Sequence, residues 1–353
     1  MKPSEIFRAE ALPVLQNRVF ATAAEALASA TGDVVLVQDP DTGLIFNSLF
    51  DPGRLVYDQS YQNEQAGSGV FQGHLDAITA VIDRHFRGRT LIEVGCGKGY
   101  FFEHLQALGY RITGIDPAYE GYNPWVVKAR FERGLGLSAE VVILRHVLEH
   151  VPDPVSFLAS IAEANGGKGC IYLEVPCFDW ICRRRAWFDI FYEHVNYFRL
   201  PDFHGMFGSI LESGHLFGGQ YLYVVADLSS LRRPRFDPTH AAQVPVDFLA
   251  AIDLHRASAA NGKRNAIWGA ASKGVTFALY LQRAGAAFEF AIDINPMKQE
   301  KFLPCSGLRV LSPEKTMPLL HSGDNVFVMN SNYLDEIVAR SGNQYHYREV
   351  DHE

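Results

Sequence analysis

Three short stretches of this chain carry residue types that could do chemistry. The first, Glu93-Val94-Gly95-Cys96-Gly97-Lys98-Gly99, is a glycine loop headed by a carboxylate. Glycines let the backbone turn tightly and let a ligand approach with no Cβ in the way. Glu93 can hold an ammonium group, and Asp116, ending the next strand, can accept both hydroxyls of a ribose. Dinucleotide enzymes use similar loops, so the glycines alone do not choose the ligand. The second stretch, His146-Val147-Leu148-Glu149-His150, has the H-x-x-E-H spacing with which some zinc peptidases place two imidazoles on one helical face. Here it follows directly on the apolar run Val141–Leu144 and is cut off by Pro152-Asp153-Pro154. That leaves room for barely one helical turn, so the expectation is a wall of a ligand site and no metal. The third stretch, Trp187–Phe198, is aromatic and contains Glu193-His194. A histidine near a strand's carboxyl end can act as general base, its ordinary pKa of about 6.5 being tuned by burial or a carboxylate. Aromatic neighbours would exclude water and offer π-faces to a cation. The same residues also read as an ordinary buried aromatic cluster.

These stretches need elements to position them. Apolar residues at helical spacing between Phe71 and Phe86 (Leu75, Ile78, Val81, Ile82) predict a helix. Thr90–Val94 reads as a strand, Gly99–Leu108 as a helix and Arg111–Ile115 as a second strand. Val141–Leu144 and Cys170–Val175 are short apolar runs of the buried parallel type. Ile210–Phe217 and Gln220–Ala226, around Gly218-Gly219, predict a β-hairpin with a two-glycine turn. In such a series the carboxyl ends of the strands face the ligand crevice, which is where the reactive stretches fall. An aperiodic break at Ser229–Val244 precedes a second α/β series: strand Asn265–Trp268, loop Gly269–Gly274, helix Val275–Ala284, strand Phe288–Ile292 ending in Asp293, strand Val326–Met329 and a helix near Leu334–Ala339. The loop could bind a phosphate through backbone N–H groups and Lys273. Ahead of the first series, helix-like Ala21–Ala30, strand-like Val34–Val37, a turn at Pro40–Gly43 and Leu44–Phe46 predict a small α+β lid.

Composition narrows the class. The 353 residues, 48% hydrophobic and 20% charged, suffice for two or three domains with cores of their own. A net charge of −8 argues against a nucleic-acid partner. No apolar run approaches the ~20 residues that span a bilayer, and the N-terminus does not read as a signal peptide, which predicts a cytoplasmic protein. The five cysteines are scattered with no C-x-x-C pair, as expected of reduced thiols, and give no metal framework.

The glycine loop, Asp116 and the closing hairpin together resemble the class I S-adenosylmethionine-dependent methyltransferases. The resemblance implies that Glu93, Gly95, Cys96, Gly97 and Gly99 pass the methionine part of the cofactor and that Asp116 binds its ribose. Arg145 and His146 would flank the cofactor. A narrower resemblance is to the sugar C-methyltransferases, which methylate nucleotide-linked keto-deoxysugars. It rests on the Glu193-His194 stretch, on Asp51-Pro52 through Tyr57, Tyr61 and His74, and on Gly269–Gly274 with Asp293–Gln299. It implies His194 as the base that takes a proton next to a ketone, Glu193 as its partner or a substrate carboxylate, and Tyr61 as a hydroxyl donor, with Tyr192 the further candidate. Ser272, Lys273 and Asn196 are the candidate substrate contacts. Phe191 and Tyr192 depart from the tyrosine and histidine usual at those places. Asp39-Pro40-Asp41-Thr42-Gly43-Leu44 stands where the family's zinc-binding C-x-x-C-G would be, so the zinc is expected to be lost.

The expected architecture is therefore α/β: a zinc-less lid over 1–68, a cofactor-binding Rossmann-like domain over 69–228, a linker over 229–245 and a second Rossmann-like domain over 246–353. The favoured partner is a small molecule, a nucleotide sugar. O- or N-methylation of another metabolite, and a non-catalytic cofactor-binding protein, are the alternatives.

Overall fold

The computed structural model describes residues 4–55 and 67–351. Strands β1 (Ser4–Pro13), β2 (Thr31–Gln38) and β3 (Ile45–Asn47) form an antiparallel N-terminal set. The central series runs β4 (Thr90–Val94), β5 (Arg111–Ile115), β6 (Val126–Val127), β7 (Val141–Arg145) and β8 (Cys170–Pro176). Next, β9 (Asn196–Tyr197) leaves that series to pair with β3, before β10 (Ile210–Leu216) and β11 (Tyr221–Asp227) complete it. The C-terminal series comprises β12 (Asn265–Trp268), β13 (Phe290–Ile292), β14 (Val310–Leu311), β15 (Asn325–Val328) and β16 (His346–Glu349).

The central sheet has the order β10-β11-β8-β7-β4-β5-β6, with only β11 antiparallel to its neighbours. The C-terminal sheet, β14-β13-β12-β15-β16, is parallel throughout. Both orders reverse beside their first strand, at β4/β7 and at β12/β15, which opens a crevice at the carboxyl ends there. Val141–Leu144 and Ile171–Val175 are buried end to end, as strands covered on both faces must be. The helix Gly69–Phe86 starts where the Ser68 hydroxyl accepts the N–H groups of Val70 and Phe71. Its buried stripe of Leu75, Ile78, Val81, Ile82 and Phe86 packs on the sheet.

Several local expectations change. The hairpin closes through four residues, Phe217–Gln220, and not two, because Phe217, Gly218 and Gly219 all take positive φ. The alanine-rich N-terminal helix shrinks to Ala23–Leu27. β1, whose Glu, Arg and Ala residues are poor strand formers, is held by its pairing with β2. The Asp39–Gly43 turn is stapled by a carboxylate: Asp39 Oδ1 accepts from the N–H of Asp41, from the N–H of Thr42 and from the Thr42 hydroxyl at 2.7–3.0 Å. Gln38 and Arg199 both donate to the Gly43 carbonyl. Among the described residues no helix is long and apolar enough to cross a membrane.

Candidate active site

The first βα turn of the central sheet builds the first wall. Gly95, Gly97 and Gly99 have φ of +78°, +56° and +85°. A Cβ on Gly95 would lie 2.3 Å from Val147, whereas one on Gly97 would meet nothing, so the loop is open above Gly97. Glu93 is buried at the head of the turn, and its Oε2 has no hydrogen-bond partner among the described residues. Burial raises its carboxyl to about 7, helped by Asp116 and Glu174 and opposed by Arg145. Asp116 accepts the Gly97 N–H on Oδ2 and the Ala118 N–H on Oδ1, both at 2.7 Å, and so shapes the loop. Burial, with Glu93 and Asp116 adding to it, drives the Cys96 thiol far up, keeping it protonated.

Glu174, on β8, is a hub that sequence reading passed over. It is fully buried, and its Oε1 faces His74 at 3.3 Å, His146 at 3.1 Å and Arg145 at 3.3 Å, while Oε2 accepts from the Tyr172 hydroxyl. Burial alone would raise its carboxyl, but Arg145 and the two imidazoles hold it well below the usual range. Arg145 also lies over the Phe101 ring at 4.4 Å. The signal available in the sequence was a charged residue inside an apolar strand, which requires a partner.

The H-x-x-E-H stretch does not act as one unit. His146 stands in the left-handed region at φ +52°, a strained place for a non-glycine residue. It turns towards Glu174, with Nδ1 3.4 Å from Glu149. Burial lowers its pKa, but the two carboxylates more than offset this and raise it to about 9. Glu149 and His150 sit in a short 3-10 turn and meet His194. The His150 and His194 rings contact edge to face at 4.9 Å, and Phe191 covers His194 from another side at 4.7 Å. Burial first, then neighbouring His150, pushes His194 down to about 3, so its ring is neutral.

Adjacent residues of the Trp187–Phe198 stretch face different surroundings. Glu193 Oε1 accepts the Gln16 N–H at 2.6 Å, tying the stretch to the N-terminal segment. Tyr192 is corrected from the site: it is wholly buried against Gly32 and Phe50, and its hydroxyl accepts the Asp51 N–H. Asn196 is likewise removed, since its amide donates to the Leu148 and Val151 carbonyls beneath the 3-10 turn. The stretch is irregular before β9, so adjacent Glu193 and His194 both line the cavity while Tyr192 and Asn196 are held by the N-terminal segment and the 3-10 turn. Trp187 stacks on Phe277 and packs with the C-terminal unit. Tyr61 lies outside the described residues.

The C-terminal loop faces the same space. Lys273 Nζ lies 3.3 Å from Asp189 and 4.6 Å above the Trp180 ring. The Ser272 hydroxyl accepts from Asn17 at 2.9 Å. A cavity of about 410 Å³ is lined by Glu93, Gly97, His194, Lys273 and Ser272 among others, so both crevices open into one chamber.

Residues 66–209 match the family described as methyltransferase domain, and residues 240–349 that described as C-methyltransferase C-terminal domain. With the sheet order, these define the class: the chain is a class I S-adenosylmethionine-dependent methyltransferase. Within that class it resembles the C-methyltransferases. It is 24% identical over 337 residues to the C-methyltransferase NovU of Streptomyces niveus, covering 82% of this chain and 78% of that one. The ubiquinone biosynthesis O-methyltransferase of Caulobacter vibrioides is 32% identical over 104 residues, 25% of this chain and 41% of that enzyme. The structure of magnesium protoporphyrin IX methyltransferase from Synechocystis PCC 6803 with bound SAH is 17% identical. It matches 45% of this chain and 83% of that one with a TM-score of 0.35.

Proposed function

We propose that the enzyme methylates a carbon of a nucleotide-linked keto-deoxysugar, with His194 as general base. The observation that carries this reading is the shared cavity, which sets the β4 glycine loop, His194 and the C-terminal loop around one space. The residues suit the cofactor: Glu93 offers a buried, unpartnered carboxylate oxygen and Gly97 an open backbone approach. Glu93 would hold the ammonium of the methionine part, and the remaining lone pairs of Asp116 the ribose. Bound S-adenosylmethionine supplies an electrophilic methyl group. His194, neutral and so able to accept, takes the proton next to the ketone, and the C–H electron pair moves into an enolate. Negative charge developing beside the ring favours its protonated form. The enolate carbon would then bond to the methyl group as the methyl–sulfur bond breaks, its electron pair returning to sulfur to leave S-adenosylhomocysteine, with the proton kept on His194. Lys273 and the N-terminus of the helix Ser272–Arg283 would take the diphosphate, which competes with Asp189 for the ammonium.

Similarity to O-methyltransferases over about a quarter of the chain supports a second reading, in which His194 deprotonates a hydroxyl. Solvent-deuterium exchange into a nucleotide-linked keto sugar, with S-adenosylhomocysteine bound so that no transfer occurs, separates the two. The parent is expected to exchange the proton next to the ketone, and His194→Asn to do so ~10²–10⁴-fold more slowly with an unchanged melting temperature. Methylation by a parent enzyme that never exchanges carbon-bound protons would favour the hydroxyl acceptor. A His194→Asn variant that melts early yet exchanges normally per folded molecule would make His194 a core residue.

A further inference from the structure

We infer that Glu149, His150 and His194 form a binding site for a divalent transition-metal ion, zinc by donor type, and that its occupation takes the base out of use. One donor atom of each residue lies within 4.8 Å of the other two. The set joins a turn after β7 to the segment that follows β8, a convergence absent from the linear H-x-x-E-H spacing.

The donors are prepared for this. His150 Nδ1 lies 3.0 Å from the Glu193 carbonyl oxygen. A carbonyl only accepts, so Nδ1 carries the hydrogen and Nε2 keeps its lone pair, the outer-shell arrangement that orients metal-binding imidazoles. Glu149 Oε1 faces His146, which leaves Oε2, buried and without a hydrogen-bond partner. An orphaned buried carboxylate oxygen is costly unless something meets it. No hydrogen bond holds the His194 ring among the described residues. All three residues line the cavity, so a fourth position would face it. Two imidazoles and one carboxylate with an open position form a zinc-type donor set.

The neighbouring group of His74, His146 and Glu174 also has metal-like spacing. Arg145 already shares the same Glu174 oxygen, and a guanidinium there repels a cation. At the Glu149 group the ion-pair partner among the described residues is His146, whose other ring nitrogen meets Glu174.

A lone pair on His194 cannot bind a metal and accept a proton together, so the metal-loaded form is an inhibited one. The inhibition rests on His194 being the base; the metal site does not. Protein stripped with chelator and desalted is titrated with Zn²⁺ by calorimetry and with Co²⁺ by visible absorption. One equivalent per chain is expected, with four- or five-coordinate Co²⁺ bands. Affinity should fall at least tenfold in Glu149→Gln and again in His150→Gln, so that one variant failing to fold leaves the other. Turnover should fall in step with Zn²⁺ occupancy and return with chelator. Sub-stoichiometric binding by the parent, or equal binding by both variants, overturns the site. Stoichiometric binding that leaves turnover intact keeps the site and overturns His194 as base.

Discussion

Glu93 shows what burial does to a single carboxyl. Raised to about 7 by desolvation, it holds a proton in the free protein below that pH, and pairing with an ammonium requires the proton to leave. Affinity for S-adenosylhomocysteine should therefore weaken as pH falls below about 7, by up to about tenfold per unit. Glu93→Gln should flatten this dependence and weaken binding at pH 8 by ~1.5–3 kcal/mol, the usual worth of a charge-assisted hydrogen bond. Calorimetric titration between pH 6 and 8 checks both, and a flat profile in the parent would remove Glu93 from the ammonium site. Glu174 is the opposite case: equally buried, its carboxyl is held well below the usual range because Arg145, His146 and His74 surround one oxygen.

At the scale of elements, the two glycine loops are constrained for different reasons. Gly97 takes φ +56° with open space around it, so Gly97→Ala should cost ~1–2 kcal/mol through conformation alone. Gly274, inside the first turn of the helix Ser272–Arg283, faces the Gly269 carbonyl, and a Cβ there would lie 1.9 Å from that oxygen. Gly274→Ala must push the β12 loop off the helix, so a loss of ~1–3 kcal/mol or more is expected. Loop and helix both line the cavity, so nucleotide binding should weaken as well. Urea denaturation of both variants distinguishes the cases: equal, small losses would mean that the close packing at Gly274 is not a constraint.

Across the whole molecule, the N-terminal segment fastens the site to both other units. β3 pairs with β9 just after His194, and Gln16 holds Glu193. Asn17 holds Ser272, while Arg283 donates to the Glu10 and Ala11 carbonyls. Between the two α/β units, Lys273 and Asp189 form a buried ion pair. Lys273→Met leaves Asp189 without its counter-charge, and removing one partner of a buried pair typically costs ~3–5 kcal/mol. Adding Asp189→Asn to it should recover most of that loss. Thermal melts of the two single variants and the double variant measure the coupling. Additive losses would show that the pair does not join the units.

Much of the framework was legible because it is local. The apolar runs Val141–Leu144 and Cys170–Val175 and the helical stripe from Leu75 to Phe86 follow from short periods, and the Glu93–Gly99 turn from glycine's backbone freedom. β1 was not legible, because its residues are weak strand formers and only the partner strand β2 orders them. Nor was the membership of the site. The stretch is irregular between Trp187 and β9, and only what packs around each side chain decides its direction, so Tyr192 and Asn196 went to the interior while His194 kept the cavity. The same holds for the linear stretch His146–His150, expected as a site wall without metal: the fold sends His146 to Glu174 and brings Glu149 and His150 to His194. Contacts between segments far apart in the chain leave no local period, so only the folded molecule decides them.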